Sequence, residues 1–151
     1  MKKSLFLLIV AIAATLTSCT TSRSTVATNA NLSHYRYVSV INDDTYRIPP
    51  QLMEYQIQLY DAIEQTGLEL VNEMNIYNLT PAQKNDLLLA QFSVDASQEG
   101  GTVVIVNFID FNTGRPIVSC RGAYALGITT AVDIRKAIEN VSQQISKTFQ
   151  R

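Results

Sequence analysis

From Leu5 to Leu16 the side chains are almost all apolar, and Lys2 and Lys3 stand ahead of them. A run this short, with a basic head and small residues at its end, has the form of an export signal rather than a bilayer-spanning helix. Residues 20–33 are small, polar and aperiodic. They predict a flexible tether, which as coil would span roughly 20 Å. Alternation begins at Tyr35 and runs to Ile41, with Val38 and Val40 on one side and Tyr35, Tyr37 and Ser39 on the other, which predicts a strand. Asn42-Asp43-Asp44 breaks it. Pro49 and Pro50 then open a helix with its apolar stripe at Leu52, Tyr55, Leu59, Ala62 and Ile63, and Gly67 ends it.

Leu68 to Val71 predicts a short strand, and Thr80-Pro81-Ala82-Gln83 a capped helical turn, with Thr80 as N-cap and Gln83 at the capping-box position. Leu88, Ala90, Phe92, Val94 and Ala96 alternate with polar residues, as in a half-buried strand. Gln98-Glu99-Gly100-Gly101 makes a hairpin, Thr102 to Phe111 a strand apolar on both faces, and Asn112-Thr113-Gly114-Arg115 a second hairpin. The chain returns through Ile117 to Leu126. Thr130 caps a final helix, with Asp133 three positions on and Ile134, Ile138, Val141, Ile145 and Phe149 as its buried face. This order predicts an α+β sandwich: a mostly antiparallel sheet of about five strands with two long helices packed on one face.

Two resemblances sharpen the reading. Leu16-Thr17-Ser18-Cys19 resembles the lipobox of bacterial lipoproteins, in which the Cys is acylated before cleavage. It implies a signal peptide over residues 1–18, a lipidated tether over 19–33 and one folded domain over 34–151, held to a membrane by acyl chains on Cys19. Thr20 follows the Cys, and no acidic residue takes that place. By the same resemblance this implies an outer-membrane lipoprotein facing the periplasm. Within the domain, Asp86-Leu87-Leu88-Leu89, Asp110-Phe111-Asn112-Thr113-Gly114-Arg115 and Cys120-Arg121-Gly122 resemble the lipoprotein domain of unknown function 4136. That family shows an Asp-Leu-Leu strand start, an Asp-x-x-Thr-Gly hairpin and an aromatic-Arg-Gly strand before a last helix. The opening Tyr35-Arg36-Tyr37 is also similar, while Cys120 stands where the family usually has Trp. The resemblance implies the fold and carries no established activity.

Composition narrows the function classes. Of 151 residues, 12 are basic and 13 acidic, and removal of the leader takes away two of the lysines. An acidic mature chain without a basic run is a poor partner for nucleic acid. With Cys19 acylated, Cys120 is the one remaining thiol, so the domain is held by its core alone. Cys120 reads as a buried, inert thiol. His34 is the only histidine, too few for a site of the usual His or Cys type, so neither a metal nor a cofactor is expected. Asp43-Asp44 reads as a turn rather than a calcium cage. Gly-x-Ser-x-Gly is absent, and Gly100-Gly101 has no phosphate-loop sequel. No catalytic residue is assigned.

Two features remain. Asp110 and Arg115 flank the second hairpin, and read as a turn-stabilising pair before a ligand clamp. If the helices cover the face bearing Val104, Val106 and Phe108, then Val103, Ile105, Ile109 and Phe111 point the other way. Tyr35 and Tyr37 join them by alternation. Such a surface suits a protein partner or self-association unless the tether or residues 72–85 cover it. The expected function is therefore a non-catalytic envelope lipoprotein acting as an interaction or assembly module. The alternatives are an envelope hydrolase with an unrecognised carboxylate site and a lipoprotein that binds lipid or glycan in an internal cavity.

Overall fold

In the computed structural model the described residues are 21–41, 53–97 and 101–150. Leu16 to Cys19 lie outside them, as do Asp43-Asp44, the Pro49-Pro50 helix opening and the 98–100 hairpin tip.

Six strands form one sheet: β1 (Arg23–Val26), β2 (Tyr37–Val40), β3 (Glu69–Leu70), β4 (Leu87–Ser97), β5 (Gly101–Asp110) and β6 (Pro116–Tyr124). Their spatial order is β1-β6-β5-β4-β2-β3. Three helices accompany them: α1 (Met53–Glu64), α2 (Pro81–Asn85) and α3 (Thr130–Phe149), with 3₁₀ turns at Leu32–His34 and Glu73–Asn78. The β4-β5-β6 meander is antiparallel, as its alternation predicts, and Phe108/Ile109 marks a register shift against β6.

The expectation of about five mostly antiparallel strands under two long helices is corrected. The sheet is mixed, because β2 pairs in parallel with both β3 and β4. Only α3, at 20 residues, is long; α1 has 12 described residues. Alternation reports that a segment is a strand and which face is buried. It does not report the direction of a partner separated by a crossover. The sixth strand, β1, falls inside the stretch expected to be a flexible tether. All four of its side chains are exposed, so it carries no apolar signal, and its pairing comes from the backbone of β6, from Arg23 opposite Arg121 to Val26 opposite Val118. Leu32 packs on the core as well. The folded body thus includes residues well before position 34.

One face of the sheet carries the core. Val38, Leu88, Ala90, Val104, Val106, Phe108, Val118 and Cys120 meet Leu59 and Ile63 of α1 and Ala137, Ile138, Val141, Ile145 and Phe149 of α3. The Phe108 and Phe149 rings pack edge to face at 4.7 Å. Gly122 lets α3 lie close: a Cβ there would overlap the Ala137 carbonyl and the Val141 amide. The N-cap of α3 is Thr129, one residue before the expected Thr130, and its hydroxyl accepts from the Val132 amide at 3.4 Å. The capping box at Thr80 and Gln83 forms as predicted, and Gly67 ends the α1 segment with φ of +80°.

Candidate functional site

The β5–β6 turn is built around one carboxylate. Asp110 Oδ1 accepts from the Thr113 amide at 2.8 Å and the Thr113 hydroxyl at 2.7 Å, while Oδ2 accepts from the Tyr35 hydroxyl at 2.9 Å. Gly114, at φ +66°, donates its amide to the Asp110 carbonyl at 2.9 Å and closes the turn. Burial alone would raise the Asp110 pKa, but the hydrogen bonds from Thr113, Tyr35 and the Asn112 amide outweigh it and hold the group below its ordinary value. Tyr35 responds in the opposite sense. Burial, then the bond to Asp110 and its charge, push the phenol up to about 12, with Arg115 acting weakly against them.

Among the described residues Lys136 pairs with Glu139 at 2.7 Å and His34 Nε2 lies 3.5 Å from Asp86 Oδ1, while no such contact links Asp110 to Arg115. Arg115 enters the turn through its backbone, which accepts from the Asp110 amide at 2.9 Å. Asp110 is therefore a structural acceptor that ties the turn to the chain before β2. A general acid would need the reverse displacement of its pKa.

The second face of the sheet is partly accessible along β5 among the described residues. Val103, Ile105 and Ile109 are half-buried there, as is Tyr37 of β2. Ile105 lies between Ser93 of β4 and Arg121 of β6, Val103 between Asp95 and Ala123, and Ile109 between Leu89 and Pro116, with Asn107 interrupting the apolar row between Ile105 and Ile109. Phe111, just beyond β5, is also half-buried and donates its amide to Leu87. At the β2–β4 corner the face is covered. Gln83 of α2 reaches the Tyr37 hydroxyl at 3.5 Å, and Leu87, which alternates with the core residue Leu88, is fully buried.

Tyr35 does not belong to this surface. It is 7% exposed and packs in the main core. It precedes β2 and follows a 3₁₀ turn, so the strand's alternation does not extend to it.

Two cavities lie among the described residues. One is a space of about 10 Å³ among Val40, Leu59, Phe92 and Val106, between α1 and the sheet. An open groove of about 590 Å³ runs between α1 and α3, lined by groups such as Gln58, Gln65, Glu139, Gln143 and Lys147. Cys120 is fully buried, burial raises its thiol to about 11, and its sulfur lies 3.9 Å from the Thr148 hydroxyl. Among the described residues no three His, Cys, Asp or Glu side chains gather as metal ligands, and no helix is long and apolar enough to cross a membrane.

No family model matches the chain, and no curated protein matches it. Solved structures do. The chain is similar to a point variant of the PelC dodecamer from Paraburkholderia phytofirmans, with TM-score 0.50 and 16% identity over 87% of this chain and 99% of that one. A second crystal form of the PelC dodecamer aligns at TM-score 0.49 and 15% identity, covering 87% and 98% of the two chains. At this identity the shared property is the fold.

One cluster escaped the sequence reading. Arg121 donates from Nη1 to the Thr21 carbonyl at 2.6 Å, and the Ala123 amide donates to the Ser22 hydroxyl at 3.1 Å, which lays the N-terminal segment along β6. Beyond β6, Gly127 donates its amide to Asp133 Oδ1 at 2.6 Å. Leu126 and Ile128, on either side of that glycine, are 85% and 99% exposed. Leu126 had been assigned to a strand end. The available signal was two large apolar residues around a glycine just before a helix cap.

Proposed function

We propose that this chain is an acylated envelope lipoprotein, anchored through Cys19 in the outer membrane and facing the periplasm, whose domain works without catalysis by binding a second copy of itself. The lipobox and the likeness to the lipoprotein domain of unknown function 4136 support the anchored part. The observation that carries the assembly part is the half-buried set Val103, Ile105 and Ile109 on a strand whose other face is buried from Thr102 to Phe108. Partly exposed apolar side chains beside polar neighbours such as Ser93, Asp95 and Arg121 suit a protein contact. One solved structure of similar fold is a dodecamer, which makes a second copy the occupant we favour.

Light scattering on soluble Cys19→Ala protein tests the reading. A multimer is expected, and Ile105→Glu, which sets a carboxylate into the centre of the row, reduces it to monomer. Crosslinking in cells gives the same contrast for the acylated chain. A strictly monomeric parent protein that crosslinks to no second copy overturns the assembly claim.

A further inference from the structure

One end of the sheet carries the Asp110–Arg115 turn, whose exposed residues include Asn112, Thr113 and Arg115, with the Asn112 side chain donating to Asn85 at 2.8 Å. The other end gathers the start of β1, the end of β6 and the start of α3, since β1 is antiparallel to β6 and α3 follows β6 directly. The start of α1 is here too, because the Tyr55 hydroxyl donates to the Ala131 carbonyl at 3.3 Å. This second end presents Leu126, Ile128 and the exposed Met53. Asp133 accepts from the Gly127 amide, so the loop between Leu126 and Ile128 is tied to the first turn of α3 by a hydrogen bond.

The N-terminus arrives at this same end. Thr21 is gripped by Arg121, and Cys19 is two residues earlier, a distance of at most about 7 Å along an extended chain at ~3.3–3.6 Å per residue. A free tether over residues 20–33 would have allowed roughly 20 Å. We infer that the Leu126–Ile128 loop is a membrane-contact tip, its apolar side chains entering the interface of the bilayer that holds the acyl chains of Cys19. The inference rests on the acylated reading above and adds to it a fixed orientation. The bilayer is the occupant because the first described residue, Thr21, is held by Arg121 at this end of the sheet, so an acylated Cys19 two residues earlier in the chain is tethered to the same end. Short apolar projections add to acyl anchoring by burial in the interface.

The chain contains no tryptophan, so Leu126→Trp supplies a single reporter. The full acylated protein is reconstituted into phosphatidylethanolamine–phosphatidylglycerol vesicles with and without brominated acyl chains. Tyr77→Trp, at a position 87% exposed in the Glu73–Asn78 turn that follows β3, the edge strand opposite β1, serves as the control. Quenching is expected to be several-fold stronger at position 126 than at 77, with blue-shifted emission, and Ile128→Trp behaves as Leu126→Trp does. Equal quenching at 126, 128 and 77 in protein whose N-terminal peptide carries labelled palmitate overturns the tip and leaves the anchor standing. Absence of the label from that peptide overturns both.

Discussion

Asp110 joins two parts of the chain through a single carboxylate, and Tyr35 is the donor that comes from outside the turn. Removing the phenolic oxygen in Tyr35→Phe deletes one charge-assisted bond at a part-exposed site, and should lower stability by about 1 kcal/mol. Asp110→Ala leaves the part-buried Tyr35 hydroxyl without this acceptor and hands the exposed Thr113 donors to water, and should cost about 1–3 kcal/mol. Urea denaturation of the soluble Cys19→Ala protein measures both.

The pH dependence follows from the two shifts. Asp110 is held below its ordinary value, so its contribution is present above the unfolded pKa near ~4 and is lost as pH falls through the folded one. Tyr35 is raised, so its contribution is complete below 10.0 and is lost as pH climbs toward about 12. Tyr35→Phe should therefore flatten the alkaline limb of the stability profile. An unchanged alkaline limb would show that the phenol does not make this bond in solution.

At the level of elements, the crossing of α3 over β6 depends on Gly122. A methyl group there meets helix backbone, which cannot rotate away, so Gly122→Ala must displace α3 and should cost about 3 kcal/mol. Gly114→Ala is the comparison: nothing lies within 4 Å of the added carbon, and only the positive φ is strained, at about 1 kcal/mol. Thermal melts that rank Gly114→Ala as the more damaging change would refute this view of the crossing.

The meander and the buried stripe of α3 were legible because half-burial writes a period into the sequence. The β2 strand was legible as a strand, yet its parallel partners were not, since that pairing is settled by the crossover through α1 and by residues 72–85. β1 left no trace because every side chain on it faces solvent. Tyr35 was misplaced by extending alternation past the strand, and the cap of α3 by one residue because Thr129 and Thr130 are chemically equivalent candidates. Of the candidate surface, the β5 row could be read from alternation. The loop at Leu126 and Ile128 could not, because its significance comes from where β1 docks, a long-range fact.

For the molecule as a whole, Arg121 has two neighbours of different kinds. Its guanidinium holds Thr21 near the start of β1, and its position on the sheet lies opposite Ile105 in the partly accessible apolar row. One residue thus connects the orientation of the body on its anchor to the face proposed to meet a second copy. Arg121→Ala removes a charge-assisted bond of roughly 1.5–3 kcal/mol from a four-residue edge strand with few other ties. Local opening of β1 should then rise by roughly tenfold or more, while the meander, secured by the core, is unaffected. Hydrogen–deuterium exchange on the acylated chain reads this directly. The peptide covering residues 23–27 should lose its protection, and peptides within β4, β5 and α3 should keep theirs. If β1 and the meander lose protection together, Arg121 supports the whole sheet rather than clamping the N-terminus. If neither changes, β1 is held by the β6 backbone alone, and the fixed orientation of the domain on its membrane then has to come from the Leu126–Ile128 loop.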